Sequence, residues 1–286
     1  MSRLGPSTTP CRASRRLPIP HALRVLPLLA LLAVPGARAQ EASFVDWVNH
    51  SGFIFIGTVK DLGAATPATT ATTAAARAPR SAVVRVDRVL EALPPLGNPT
   101  GRDVDVRLRD PLKPQAGERA VFFTYVQSTG KTLGLVEVAS QPVDQPEALE
   151  GRIRDARRTL ADQALAARLA SAEMVVVGVV GEAKPTPGAL DPVSEHDPRW
   201  YRAPIRVESF EKGGAASRQV FVNIAYGDDV VWEHAPKPKA GDGGIFLLQP
   251  DREKKFRTSG LFLIDPLDWL PKSELERVRR LLKTPR

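Results

Sequence analysis

Cysteine is nearly absent from this sequence, which has one cysteine among 286 residues. A single cysteine excludes the disulfide framework that holds many small exported domains together. Long apolar runs are also scarce: the run at residues 25–34 has ten residues. A helix of ten residues is about 15 Å long, whereas the hydrocarbon core of a membrane is about 30 Å thick. This run is therefore too short to be a membrane-spanning helix.

The first 39 residues have the features of a secretory signal. They contain six arginines and no acidic residue, with the apolar run placed before Ala37 and Ala39. Small side chains at these two positions fit a signal peptidase site. We therefore expect cleavage near Ala39, a mature chain that starts at Gln40, and export to the periplasm or the extracellular medium. The sequence Ser-Arg-Arg at residues 14–16 leaves the twin-arginine route open beside the general one.

The formal net charge of +8 suggests a nucleic-acid partner, but its position along the chain argues against one. Six of the 40 basic residues lie in the first 39 residues, which leaves 34 basic side chains against 32 acidic ones. A nearly neutral body lacks the basic surface that phosphate backbones require. We therefore expect no nucleic-acid partner.

An internal duplication organises the remaining sequence. Six blocks recur in the same order, at offsets between 116 and 126 residues. The paired blocks are residues 53–59 with 174–180, 84–87 with 205–208, 102–108 with 218–224, 113–118 with 237–242, 134–136 with 260–262, and 146–154 with 271–279. A conserved order of this kind predicts two copies of one structural unit. We place the copies at residues 40–160 and 161–286, after a signal peptide at residues 1–39.

Each copy predicts a short helix, five strands and a closing helix. Val104, Val106 and Leu108 alternate with charged residues, as in a half-buried strand, whereas residues 53–59 are apolar throughout and predict a strand covered on both faces. Five short antiparallel strands tend to close, because open edges pair with other chains. We therefore predict a mainly β fold with flanking α-helices, built from two tandem five-stranded OB-like Greek-key barrels. Residues 145–172 predict a helix that closes the first copy and opens the second.

The block order resembles the OB-like module of netrin-type domains and tissue inhibitors of metalloproteinases. The resemblance lies in an apolar strand ending in Gly57 or Gly178 and in a turn at Gly117 or Gly241 that leads into the fourth strand. It implies an OB-like fold and a protein-binding role. The inhibitors of that family act through an amino-terminal cysteine that binds the metal of the protease, whereas the expected first residue here is Gln40. Inhibition by that route is therefore not expected.

Catalytic and metal-binding motifs are sparse. After the signal the sequence contains only His50, His196 and His234, without the H-x-x-x-H spacing of a zinc site. We therefore predict no cofactor and no metal. The alternative is an exported hydrolase or a metal-dependent enzyme that uses His196 and His234. It is left open by carboxylates of the second copy that could converge, at residues 195, 197, 228, 229 and 233.

Aromatic residues of the second copy lie beside polar loops. Trp200, Tyr201 and Trp232 have no matching tryptophan in the first copy. Large rings most often pack in a core, but Trp and Tyr also anchor protein interfaces. Our candidate partner-binding residues are therefore His196, Trp200, Tyr201, Trp232 and His234. The leading hypothesis is a non-catalytic exported protein that binds another protein or an envelope component.

Overall fold

A computed structural model describes residues 35–63, 80–92, 97–109, 114–129, 132–143, 145–227, 229–256 and 258–284. The α-helices are α1 Pro35–Asn49, α2 Pro146–Ser171, α3 Val230–Glu233 and α4 Leu275–Lys283. The first five strands are β1 Phe53–Leu62, β2 Arg80–Glu91, β3 Asp103–Leu108, β4 Arg119–Thr129 and β5 Thr132–Pro142. The remaining strands are β6 Met174–Val180, β7 Lys184–Pro185, β8 Arg199–Lys212, β9 Gln219–Tyr226, β10 Gly243–Pro250, β11 Leu261–Leu263 and β12 Trp269–Leu270.

Both sets of strands close into barrels with the same order. The first barrel runs β1-β2-β3-β5-β4, and β4 pairs back to β1. The second runs β6-β8-β9-β11-β10, and β10 pairs back to β6. In each barrel the third and fifth strands are parallel and the other pairs are antiparallel. The structure thus confirms a mainly β fold with two five-stranded OB-like barrels, to which β7 and β12 add short extra pairings in the second barrel.

The duplication extends to the register of the strands. Gly57 lies opposite Val86, and Gly178 lies opposite Val207 at the matching place. The register shifts immediately before the glycine in both barrels, so the irregularity itself is repeated. A Cβ atom would lie 2.7 Å from a carbonyl oxygen of the neighbouring strand at Gly57, and 2.5 Å from one at Gly178. Close approach of the backbones therefore explains why glycine occurs in both copies.

The turn before the fourth strand is repeated as well. The N–H of Gly117 donates to the carbonyl of Val59 at 2.8 Å, and the N–H of Gly241 donates to the carbonyl of Val180 at the same distance. The two glycines have φ values of 81° and 95°. Side chains with a Cβ rarely adopt this conformation, so the predicted turn glycines are required by the backbone.

The first strand of each barrel is covered on both faces, as predicted. Phe53 and Phe55 belong to the core inside the first barrel, whereas Ile54 and Ile56 pack under the helices outside it. The strand β6 is arranged in the same way in the second barrel. This double burial explains why residues 53–59 have no polar alternation.

Helix α2 packs against both barrels. Leu149 and Ile153 of its first half join the cluster outside the first barrel, and Leu165 and Leu169 of its second half join the cluster outside the second. The expected division between residues 160 and 161 lies inside this continuous helix. The helix therefore links the two copies as the sequence predicted, while the domain boundary itself stays a prediction.

Each barrel has two helices on its outer face, and an ion pair joins the helices in both copies. Glu41 of α1 pairs with Arg152 of α2 at 3.1 Å. Asp162 of α2 pairs with Arg277 of α4 at 2.6 Å, at the equivalent positions of the second copy. The duplicated unit is thus a helix, a barrel and a closing helix, and α2 supplies one helix to each unit.

Much of the expected signal peptide lies outside the described residues, which begin at Pro35. Helix α1 starts there, so the expected cleavage position near Ala39 lies within α1. Cleavage and export therefore stay predictions. Among the helices that the structure describes, none combines the length and the apolar character needed to cross a membrane.

Candidate functional site

Three connections of the second barrel contact one another beside Trp200 and Trp232. They are residues 181–198 between β6 and β8, residues 227–242 between β9 and β10, and residues 251–260 between β10 and β11. We call their mutually contacting parts, residues 186–198, 229–236 and 251–256, the loop cluster. OB barrels bind ligands with the second and third strands and with the loops that follow the first and fourth strands. The first and third connections are these two loops.

An aromatic group forms the floor of the loop cluster. The ring of Trp200 lies 5.8 Å from that of Trp232, 5.1 Å from that of Phe256 and 5.0 Å from that of Phe262, measured between centroids. Trp200 and Trp232 are only 7% and 9% exposed. Most of each tryptophan ring is therefore packed in the core, as large rings usually are. The two rings lie beneath the surface of the loop cluster and do not project from it.

Each segment of the loop cluster is held by one aspartate. Asp197 accepts hydrogen bonds from two backbone N–H groups at 3.0 and 3.1 Å. Asp229 accepts one from the backbone of Val231 at 2.8 Å, at the start of α3. Asp251 accepts two from backbone N–H groups at 3.0 and 2.7 Å. Side-chain acceptors of this kind fix local turns, so the three segments have defined conformations.

His196 joins two of these segments. Its Nδ1 atom contacts a carboxylate oxygen of Asp229, and its backbone carbonyl accepts the indole N–H of Trp232 at 2.8 Å. The backbone hydrogen bond from Val231 and the contact with His196 lower the pKa of Asp229 below its ordinary value. His196 is therefore a structural link, and its side chain is 70% exposed.

Large aliphatic side chains project from the loop cluster into solvent. Four of them are between 56% and 76% exposed: Leu190, Val193, Val230 and Val231. The other exposed large hydrophobic side chains of the described residues are less exposed, at 36–45%: Tyr125, Phe221 and Tyr226. Single exposed apolar residues are ordinary, but a group of them marks an interaction surface.

A cavity of about 310 Å³ lies between the segments of the loop cluster. Trp200, Trp232 and Phe256 line it together with the exposed Leu190 and Val231. Asp191 and Lys255 belong to the same lining. A cavity of this size is near the lower end of the range for small-ligand sites, and its lining favours an apolar group.

Tyr201 lies in a different cavity from its neighbour Trp200. Adjacent residues of a strand point to opposite faces, and Tyr201 lines a wide groove of about 830 Å³. Its ring lies 4.9 Å from that of Tyr226. Glu195 and Arg199 line the same groove, which is accordingly more polar than the small cavity.

The structure therefore brings only part of the predicted site together. Trp200 and Trp232 share the small cavity, and His196 is bonded to the same segments. Tyr201 faces the wide groove. His234 is exposed at the end of α3 and lines neither of the two cavities.

Metal binding finds no support in the part of the chain that the structure describes. No group of three or more His, Cys, Asp or Glu side chains there could hold a metal ion. Asp228, one of the residues considered for such a site, lies outside the described residues. Among the described residues, no hydrogen bond or ion pair joins His196 to His234.

Sequence reasoning missed the exposed aliphatic residues and the third aromatic of the floor, Phe256. The sequence has only a weak indication that the aliphatic residues are exposed. Val230 and Val231 follow two aspartates, and Leu190 and Val193 flank a proline in a polar segment. An apolar pair without any strand or helix periodicity in such a segment indicates a surface position.

Comparisons with known proteins return no family for this chain. No protein-family model matches it, and no curated protein is significantly similar to it.

Proposed function

We propose that the chain is an exported, non-catalytic binding protein that holds another protein at the loop cluster of its second barrel. The observation that carries the proposal is the group of four exposed aliphatic side chains above the aromatic floor. Folding alone gives no reason to expose them, whereas protein interfaces use such a group as their buried centre.

The order of the loop cluster supports a binding role. Its segments are held by the hydrogen bonds of Asp197, Asp229 and Asp251 and by the indole N–H of Trp232. A surface that is already ordered loses less conformational entropy on association. The aromatic floor stabilises the loop cluster, because removing a buried tryptophan ring costs about 3–5 kcal/mol.

The resemblance to netrin-type domains points in the same direction. Members of that group use OB-like modules in contacts with other proteins, and the fold required for the comparison is present in both copies. The expected export signal would place the partner outside the cytoplasm.

Photo-crosslinking tests the proposal directly. Benzoylphenylalanine is placed at Val193 or at Val231, and Tyr125 of the first barrel, which is 41% exposed, serves as the control position. We expect the same protease-sensitive adduct from both loop positions and none from the control. Absence of adducts at the loop positions, or an equal yield at Tyr125, would contradict a binding role for the loop cluster.

A second candidate is an exported hydrolase, and one observation favours it. The contact between His196 and Asp229 resembles the arrangement in which a carboxylate orients a catalytic imidazole. Among the described residues, no serine or threonine hydroxyl is hydrogen-bonded to His196. Ester hydrolysis that is abolished by His196→Ala in a folded variant would favour this candidate over a binding protein.

A further inference from the structure

The two segments that carry the exposed aliphatic residues have charges of one sign. Residues 189–198 and 229–235 contain five carboxylates and no lysine or arginine. The carboxylates are Asp191, Glu195, Asp197, Asp229 and Glu233. The aliphatic surface of the loop cluster is therefore set in an acidic rim.

Three of these carboxylates have no strong cationic partner in the protein. Among the described residues, no cation pairs with Asp191 or Glu233, and Glu195 has only the His196 imidazole at 3.9 Å. All three are exposed. Asp197 and Asp229, by contrast, accept the hydrogen bonds that hold their own segments.

The third segment of the loop cluster, residues 251–256, contains Arg252, Lys254 and Lys255 beside Asp251 and Glu253. Lys255 pairs with Glu253 at 2.6 Å, and Lys237 donates to the carbonyl of Trp232 at 3.0 Å. Arg199 and Glu195 both line the wide groove, and no ion pair joins them among the described residues. Over its three segments the loop cluster has seven carboxylates against three lysine or arginine side chains, so its charge is predominantly negative.

From this charge pattern we infer that the partner presents a cationic polypeptide segment, in which an apolar side chain is flanked by lysine or arginine. The inference rests on the proposed binding function and specifies the chemistry of its partner. The apolar side chain occupies the small cavity above Trp200, Trp232 and Phe256, and the flanking cations lie against Asp191, Glu195 and Glu233.

The same carboxylates argue against two other occupants. Exposed aliphatic residues on loops could insert into a membrane, but anionic lipid headgroups attract basic segments, and this rim is acidic. Nucleic acids require basic side chains for the same reason. A basic polypeptide is the occupant that satisfies both the apolar cavity and the charges around it.

Rim charges of this kind affect mainly the association rate and the choice of partner. Their effect falls with ionic strength, because exposed charges are screened over about 8 Å at physiological salt. Binding of a cationic segment should therefore weaken markedly as salt is added, whereas burial of an apolar side chain alone would not.

Selection from a phage library of random twelve-residue peptides on the purified full chain tests the inference. We expect the selected peptides to have a net positive charge with lysine or arginine beside an apolar residue. Selection of neutral or acidic peptides, or of none at all, would overturn the inference. If crosslinks still form at Val193 and Val231, the binding function stands and only the chemistry of the partner is wrong.

A variant with three neutralised carboxylates measures how much these charges contribute to the affinity. Asp191→Asn, Glu195→Gln and Glu233→Gln together should weaken binding of a selected peptide by about tenfold, since each exposed ion pair contributes little by itself. The control neutralises Asp103, Asp105 and Glu173, three exposed acids outside the loop cluster, and should change the affinity less than about twofold. An equal loss in both variants would show a general charge effect and refute the proposed site.

Discussion

Asp268 is the buried end of an ion pair between α2 and the second barrel. Its side chain is fully buried and accepts hydrogen bonds from Arg168 at 2.6 Å on both carboxylate oxygens. It also accepts from the side chain of Gln249 at 3.2 Å and from the backbone N–H groups of Ile264 and Asp265 at 2.8 and 3.0 Å. In Asp268→Asn the Arg168 guanidinium loses its anion, and the new NH2 group supplies a donor where donors already converge.

The expected loss of stability follows from the burial of this pair. Removing one partner of a buried ion pair costs about 3–5 kcal/mol. The Arg168 side chain is 21% exposed, so water screens part of its remaining charge, and we expect about 3 kcal/mol, the lower end of that range. Burial lowers the pKa of Arg168, but the hydrogen bonds and charge of Asp268 raise it by more, so the guanidinium stays charged in the folded protein. A loss of about 3 kcal/mol corresponds to a fall in Tm of about 6–12 °C.

Calorimetry and urea unfolding of the full chain measure this loss. The control is Glu41→Gln, which breaks a surface ion pair with Arg152 whose side chains are 57% and 43% exposed. Exposed pairs contribute about 0–1 kcal/mol, so the control should unfold almost like the unchanged protein. A loss in Asp268→Asn no greater than that in Glu41→Gln would refute the reasoning from burial.

Two further predictions concern the second barrel. Hydrogen bonding to Arg279 lowers the pKa of Glu211 from its ordinary value of 4.5. The pair therefore stabilises the fold above pH 4.5. Its contribution is lost as the pH falls through the lower pKa of Glu211 in the folded state. Between pH 7 and 3 the unfolding free energy should therefore fall more in the unchanged protein than in Glu211→Gln, and parallel curves would contradict the assignment. Gly178→Ala should lower the free energy of unfolding by about 2 kcal/mol or more, because its Cβ would lie 2.5 Å from the Arg206 carbonyl oxygen. Urea unfolding measures this loss. In the same measurement Gly214→Ala, with no neighbouring atom within 4 Å of its Cβ, should change the free energy of unfolding little.

The barrels could be predicted because their determinants are local and occur twice. The apolar run that ends in Gly57, the alternation around Val106 and the turn at Gly117 each specify a strand or a turn from adjacent residues. Repetition of these signals at Gly178 and Gly241 removes most of the ambiguity of any single block. The closure of each sheet then follows from the number and length of the strands.

The candidate site could be predicted only in part, because it depends on contacts between separate loops. The sequence groups Trp200 and Tyr201 as neighbouring candidates, yet strand geometry sends them to different cavities. The link between His196 and Asp229 joins positions 33 residues apart; the sequence left their convergence open, but spacing alone could not establish it. The exposure of Val231 likewise depends on how α3 lies against the other segments.

The two copies share a framework, but the features of the loop cluster belong to the second. In the first copy, residues 64–79 occupy the place of the segment that contains Asp191 and His196, and they include no aromatic and no acidic residue. Their structure lies outside the described residues, but this composition lacks the carboxylates for an acidic rim and any large aliphatic side chain to match Leu190 and Val193. Loops vary on a constant scaffold more readily than strands do. A partner that recognises the acidic, aliphatic surface should therefore bind one site per chain. A measured stoichiometry of two partner molecules per chain would mean that binding uses the shared barrel face instead of the loop cluster.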